Sequence, residues 1–132
     1  MAEPRFQLAL GQFEKALTRL HEVLAMPETM VVRDALIQRF EFTFEAAWRA
    51  AYRWLRARGA DVSEEAFAVL PRAFANRLIV DEAAWSELRK KRNLTSHTYQ
   101  EAIAVEVAAF VRGVGVRCFD ELLATLKARA DE

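Results

Sequence analysis

The chain has 132 residues, enough for one domain, 1–132, whose core needs neither disulfides nor a structural metal. Nineteen Lys and Arg balance nineteen Asp and Glu, so the formal net charge is zero. A protein that coats nucleic acid through excess positive charge is excluded, although a local phosphate site is not. Hydrophobic residues at 53% and charged residues at 29% argue against wholesale disorder, and four glycines and three prolines are too few turn-formers for many short strands.

Long helices are therefore expected. The first starts after Pro4, which suits an N1 position, and carries Phe6, Leu10, Phe13, Leu17, Leu20 and Leu24 in one apolar stripe until Pro27. His21 sits beside that stripe, at the surface or half-buried. The second helix is expected over 29–58, ending at Gly59. Asp34, Gln38, Glu41, Glu45, Arg49, Arg53 and Arg56 form a narrow polar stripe on it. Most of the remaining circumference is apolar, from Val31 through Phe40, Phe42, Phe44 and Trp48 to Leu55, so burial on more than one side is required. In a short chain the second cover is expected to be a partner subunit. Glu41 and Glu45 lie one turn apart and are expected to pair locally with Arg39 or Arg49.

Residues 63–79 read as a shorter helix interrupted or restarted at Pro71, with Phe67, Leu70, Phe74 and Leu78 lining one side. Asp81 is the expected N-cap of a fourth helix that runs through Trp85 and Leu88 to Arg92. Thr98 and Glu101 fit a capping box that opens the last helix, followed by a stripe of Ile103, Val107, Phe110, Val114, Cys118, Leu122 and Leu126. Gly113 and Gly115 mark a kink or a close helix contact there. Cys118 is the single cysteine, and its apolar setting predicts a buried, inert thiol. The opening MAEPRFQLAL has no hydrophobic segment of signal-peptide length, and no run of about 18 apolar residues occurs, so no membrane span is expected and the cytoplasm is the expected location.

Chemistry concentrates in Arg92-Asn93-Leu94-Thr95-Ser96-His97-Thr98-Tyr99. A helix N-terminus after Thr98 would present free N–H groups to an anion. Arg92 would add forked donors, and His97 a group that exchanges protons near neutral pH. Asn93, Thr95, Ser96 and Tyr99 would supply further donors. Arg92→Ala is expected to weaken anion binding and spare the fold. The plainer alternative is that these residues merely cap and pack a helix junction. One cysteine and two distant histidines make no zinc set, and neither a Gly-rich phosphate loop nor a nucleotidyltransferase carboxylate site is present, so no metal and no cofactor is expected.

The Arg-x4-His-x-Tyr spacing of Arg92, His97 and Tyr99 resembles the signature of HEPN domains. Together with Ile37-Gln38-Arg39-Phe40-Glu41-Phe42-Thr43-Phe44-Glu45-Ala46-Ala47-Trp48, it resembles the two hallmark blocks of the nucleotidyltransferase substrate-binding family, over roughly 5–127. The resemblance implies an all-α antiparallel bundle of about five helices, a homodimer, and a separate minimal nucleotidyltransferase (MNT) as partner. It carries two functional accounts. In one the chain is a HepT-like toxin, a metal-independent endoribonuclease using Arg92 and His97, whose partner adds AMP to the tyrosine matching Tyr99. In the other it is a non-catalytic subunit presenting a nucleotide or substrate to the transferase. A structural helical dimer without a site is the third option. The family's usual Ser-Pro opening of the third helix is not present at Ser63, which leaves the path of 63–74 open.

Overall fold

The computed structural model describes residues 2–132, and all of its regular elements are helical. They are α1 (Pro4–Leu24), α2 (Met30–Ala57), α3 (Ala66–Ala75) and α4 (Glu82–Leu94), then α5 (Glu101–Phe110) continued through a π-helical turn, Val111–Gly115, into α6 (Val116–Ala128). The last three segments form one rod, so the bundle has five rods. A short 3₁₀ turn, Thr95–His97, joins α4 to the last of them.

The first two helices start and stop as their sequences dictate. Glu3 caps α1 through its carboxylate, with Pro4 in the first turn, and the Thr29 hydroxyl caps α2 at the Val32 N–H. Gly59 adopts φ 82° just past the end of α2, a backbone shape that L side chains rarely take. The two helices pack antiparallel. The buried Thr43 hydroxyl donates to the carbonyls of Ala16 (3.2 Å) and Arg39 (2.7 Å), and the Arg39 guanidinium reaches the Arg19 carbonyl at 2.7 Å.

α2 is the axis of the bundle, and all the other rods touch it. At the centre, Phe119 of α6 is fully buried, its ring 6.4 Å from Phe13, 6.1 Å from Phe40 and 5.9 Å from Trp85. Four rods thus meet at one aromatic cluster, in the edge and tilted arrangements that ring quadrupoles favour. Cys118 beside it is buried, and desolvation pushes its thiol from about 9 up to about 11, so it is protonated and unreactive at neutral pH.

Two glycines and a π turn shape the last rod. Where a Cβ on Gly115 would sit, Leu88 Cδ2 of α4 lies 3.5 Å away, an ordinary van der Waals distance, so Gly115 faces α4 without the crowding that would demand a glycine. The π turn also directs Arg112 back to the Leu24 carbonyl (3.1 Å) and to Glu28 (2.9 Å), tying the last rod to the end of α1. His21 stays exposed and bonds Asp120 across α1 and α6 at 2.7 Å.

Two expectations change. Helix α3 runs unbroken through Pro71, because a proline five residues into a ten-residue helix removes only one bond, from the Phe67 carbonyl at the solvent edge. Its buried side is Val69, Leu70 and Ala73, with Phe67 and Phe74 left exposed. The capping box does not form. The Thr98 hydroxyl donates instead to the Thr95 carbonyl at 3.1 Å, Gln100 takes the N-cap position with no side-chain bond, and α5 begins at Glu101.

Phe119→Ala is expected to lower unfolding stability by about 3–5 kcal/mol, since it opens a cavity against four rods. Urea denaturation followed by circular dichroism checks this, and a loss below about 1 kcal/mol would show that the cluster does not organise the core.

Candidate functional site

Arg92 lies in the last turn of α4, and two carboxylates from α2 reach across to hold it. Its Nε donates to Glu45 Oε1 at 3.2 Å, while Nη1 lies 3.2 Å from Glu41 Oε2 and donates to the Thr95 hydroxyl at 2.9 Å. The Thr95 hydroxyl donates in turn to the Arg92 carbonyl (2.6 Å), with Glu41 Oε2 a second acceptor at 3.2 Å. Glu45 also accepts from the Trp48 indole N–H at 2.9 Å. Thr95 is buried, and Arg92, Glu41 and Glu45 are each about one-third exposed. Half-burial strengthens these charge-assisted bonds relative to surface pairs, while the remaining solvent access limits them.

The arrangement restrains the guanidinium but does not use it up. Nη2 has no hydrogen-bond partner among the described residues and is not sealed from solvent. Two of the five N–H donors therefore remain for a ligand. Two carboxylates against one guanidinium leave the cluster with excess negative charge, so an anion gains little unless it approaches from the Nη2 side.

The other motif residues stand outside this clasp. His97, Ser96, Asn93 and Tyr99 are exposed, Tyr99 at 80% of its surface. The His97 and Tyr99 rings meet edge to face, 6.2 Å between centroids, and the Ser96 hydroxyl donates to the Asn93 carbonyl at 3.2 Å. The structure thus brings Arg92 and Thr95 together, pairs His97 with Tyr99, and shows no hydrogen bond between the two groups among the described residues.

Two sequence readings are corrected here. Glu41 and Glu45 do not pair with Arg39 or Arg49. Arg39 turns to the α1 backbone and Glu22, Arg49 stacks over Trp48 at 5.0 Å, and both carboxylates face α4. The i, i+4 spacing was the available signal, but which helix would supply the cation depended on packing. The expected anion site at the amides after Thr98 also shifts, since α5 starts later and opens with the carboxylate of Glu101, which lies 3.7 Å from Arg33.

An all-α bundle with an Arg-x4-His-x-Tyr turn between its fourth and fifth rods defines a HEPN-type domain. The chain belongs to the family described as "Nucleotidyltransferase substrate binding protein like", whose model matches residues 6–128. Its HepT-like relationship is visible in the "Probable ribonuclease HepT" of Haemophilus influenzae, 34% identical over 87 residues. That match covers 60% of each chain, so this chain spans about three-fifths of the length of that curated relative. A crystal structure from Thermus thermophilus is 33% identical with a TM-score of 0.79, covering 87% of this chain and 98% of that one. The fold is shared with a tri-AMPylated Shewanella oneidensis HEPN toxin in complex with MNT antitoxin, at 16% identity and a TM-score of 0.76 over 96% of this chain and 99% of that one.

Because the clasp leaves two half-buried carboxylates facing each other if Arg92 is removed, Arg92→Ala is expected to cost about 1–2 kcal/mol of stability, against the sparing of the fold read from sequence. Adding Glu41→Gln and Glu45→Gln to that variant should restore more than half of the loss. Thermal and urea unfolding of the four chains form the cycle, and purely additive effects would show that the pairs are not coupled.

Proposed function

We propose that the chain is the HEPN subunit of a two-component system with a separate minimal nucleotidyltransferase, and that it is a metal-independent endoribonuclease. The observation that carries the reading is the restrained Arg92, with Nη2 open, next to a turn on which His97 and Tyr99 both face solvent. Single-stranded RNA carries its own nucleophile. The ribose 2′ oxygen bonds to the adjacent phosphorus, the bond from phosphorus to the 5′ oxygen breaks, and a cyclic phosphate and a 5′ hydroxyl result. His97 moves the proton, taking it from the 2′ hydroxyl or delivering it to the leaving 5′ oxygen. Arg92 Nη2 faces the charge that builds on the phosphorane oxygens. Asn93, Ser96 and Thr95 position the strand or the turn.

Assembly as a homodimer is supported by the exposed strip of α2. Val31 and Phe42 remain exposed, Phe42 at 60%, and Phe42 shares the face of α2 that carries Glu45. A second copy seated there buries them and brings two motif turns close together. Phe42→Glu is expected to convert a dimer into a monomer in light scattering at micromolar concentration, and a parent chain that is already monomeric would refute the assembly.

The partner acts through Tyr99. Its hydroxyl is accessible, and AMP transfer would form a bond from that oxygen to the α-phosphorus of ATP with release of pyrophosphate. The added nucleotide would place negative charge and bulk beside His97 and exclude RNA. AMPylation of a HEPN toxin in complex with its antitoxin, as described for the Shewanella protein, supports this reading.

A second reading, a non-catalytic subunit that presents a nucleotide to the transferase, is supported by the family description as a nucleotidyltransferase substrate binding protein. RNA cleavage by the parent and by His97→Ala separates the two. The ribonuclease reading expects a loss of at least a hundredfold in His97→Ala, and silencing of the parent by the partner transferase and ATP with AMP mapped to Tyr99 by mass spectrometry. A parent that binds AMP or RNA without cleaving RNA leaves the binding subunit.

A further inference from the structure

A cavity of about 630 Å³ lies between α3 and α4, a volume in the range of small-ligand sites. Its floor is apolar, made by Leu70, Ile79 and Trp85, and its α4 wall is one stripe, with Ser86, Arg89 and Asn93 at steps of three and four. Phe67 stands at its rim, 56% exposed.

Arg89 differs from the cations that follow it. Lys90 sits on Glu87, Lys91 on Glu87 and Glu106, and Arg92 on Glu41 and Glu45. Arg89 makes no ion pair among the described residues. Its guanidinium lies 5.9 Å from the Phe67 ring centroid, the outer limit of a cation–π contact, so it is not seated on the ring. Glu82 also lines the groove but makes no ion pair with Arg89, and an exposed phenyl ring beside an unpaired guanidinium is the pairing that stacks a base and holds its phosphate. At the other end of the stripe Asn93 is the last lining residue, and its carbonyl receives the Ser96 hydroxyl, so the groove ends beside the motif turn.

We propose that this groove is a subsite for one nucleotide of single-stranded RNA: a base stacks on Phe67, its phosphate takes Arg89, and the strand continues past Asn93 toward His97. The proposal rests on the RNA-directed reading of the motif turn. A strand fits better than a free nucleotide, because Arg89 is the lining cation without an ion pair and holds a lone phosphate weakly, whereas a strand that also reaches His97 and Tyr99 makes its further contacts intramolecularly.

The test is fluorescence anisotropy with a labelled, unstructured RNA oligonucleotide, on the full chain. Phe67→Ala and Arg89→Gln should each weaken binding about tenfold while keeping the parent circular dichroism and melting midpoint, and Phe67→Trp should bind at least as well as the parent. Arg89→Gln should also lower the slope of log affinity against log salt by about 0.7, the loss of one phosphate contact. Unchanged binding in Phe67→Ala and Arg89→Gln would overturn the subsite even if the parent cleaves RNA. Phe67-dependent binding by a parent that cleaves nothing would keep the subsite and remove the ribonuclease reading. AMP competing as tightly as the oligonucleotide would overturn the strand as occupant, and a parent that binds no RNA would overturn the subsite and the ribonuclease reading together.

Discussion

A helix of 28 residues with Phe40, Phe44, Trp48, Trp54 and Leu55 among its buried side chains cannot stand in water, and the arrangement of the other rods answers that demand. α1 covers α2 lengthwise, and α3 and the last rod close over the rest. The aromatic cluster around Phe119 lies where this cover is deepest. The far end of α2 is closed by the C-terminal segment, where Trp54 donates to the Arg129 carbonyl at 3.0 Å with Arg58 and Arg129 over its ring. What is left uncovered on α2 is a narrow strip with Val31 and Phe42, and that strip gives the proposed assembly its location.

The same helix supplies the electrostatics of the motif. Glu41 and Glu45 sit one turn apart on a face that α4 partly shields, so their charges need a counter-ion from α4, and Arg92 supplies it. The consequence runs both ways. A restrained guanidinium needs little reorganisation before it meets a developing charge. Yet two carboxylates within 3.2 Å of it lower the attraction for any resting anion. Such a group suits charge that appears only during reaction better than tight ground-state binding, which is the physical argument for the catalytic reading over the binding one.

The turn from Thr95 to Gln100 divides its labour by depth. Thr95 faces inward and completes the clasp, while His97 and Tyr99 face out with their rings edge to face. A short 3₁₀ turn allows this, because three residues per turn separate neighbouring side chains widely. The fixed charge is therefore held by the core, and the groups that would move a proton or accept a modification stay accessible.

Helix periodicity, the cap at Asp81, the glycine after α2 and the Arg92–His97–Tyr99 spacing were all legible in the chain, because each is a local pattern with a local physical cause. Burial of Cys118 was legible for the same reason. The capping box at Thr98 was misread because a 3₁₀ turn could satisfy the same hydroxyl through the Thr95 carbonyl, and the choice depended on how α4 docks. Phe67 and Phe74 fit a helical stripe as well as Val69 and Ala73 do, and only the packing of α3 against its neighbours decided which face was inside. The partners of Glu41 and Glu45 lay 47 or more residues away in sequence, in Arg92 and Thr95. Local spacing places a carboxylate on a face, but the cation it meets is decided by which helix folding brings to that face.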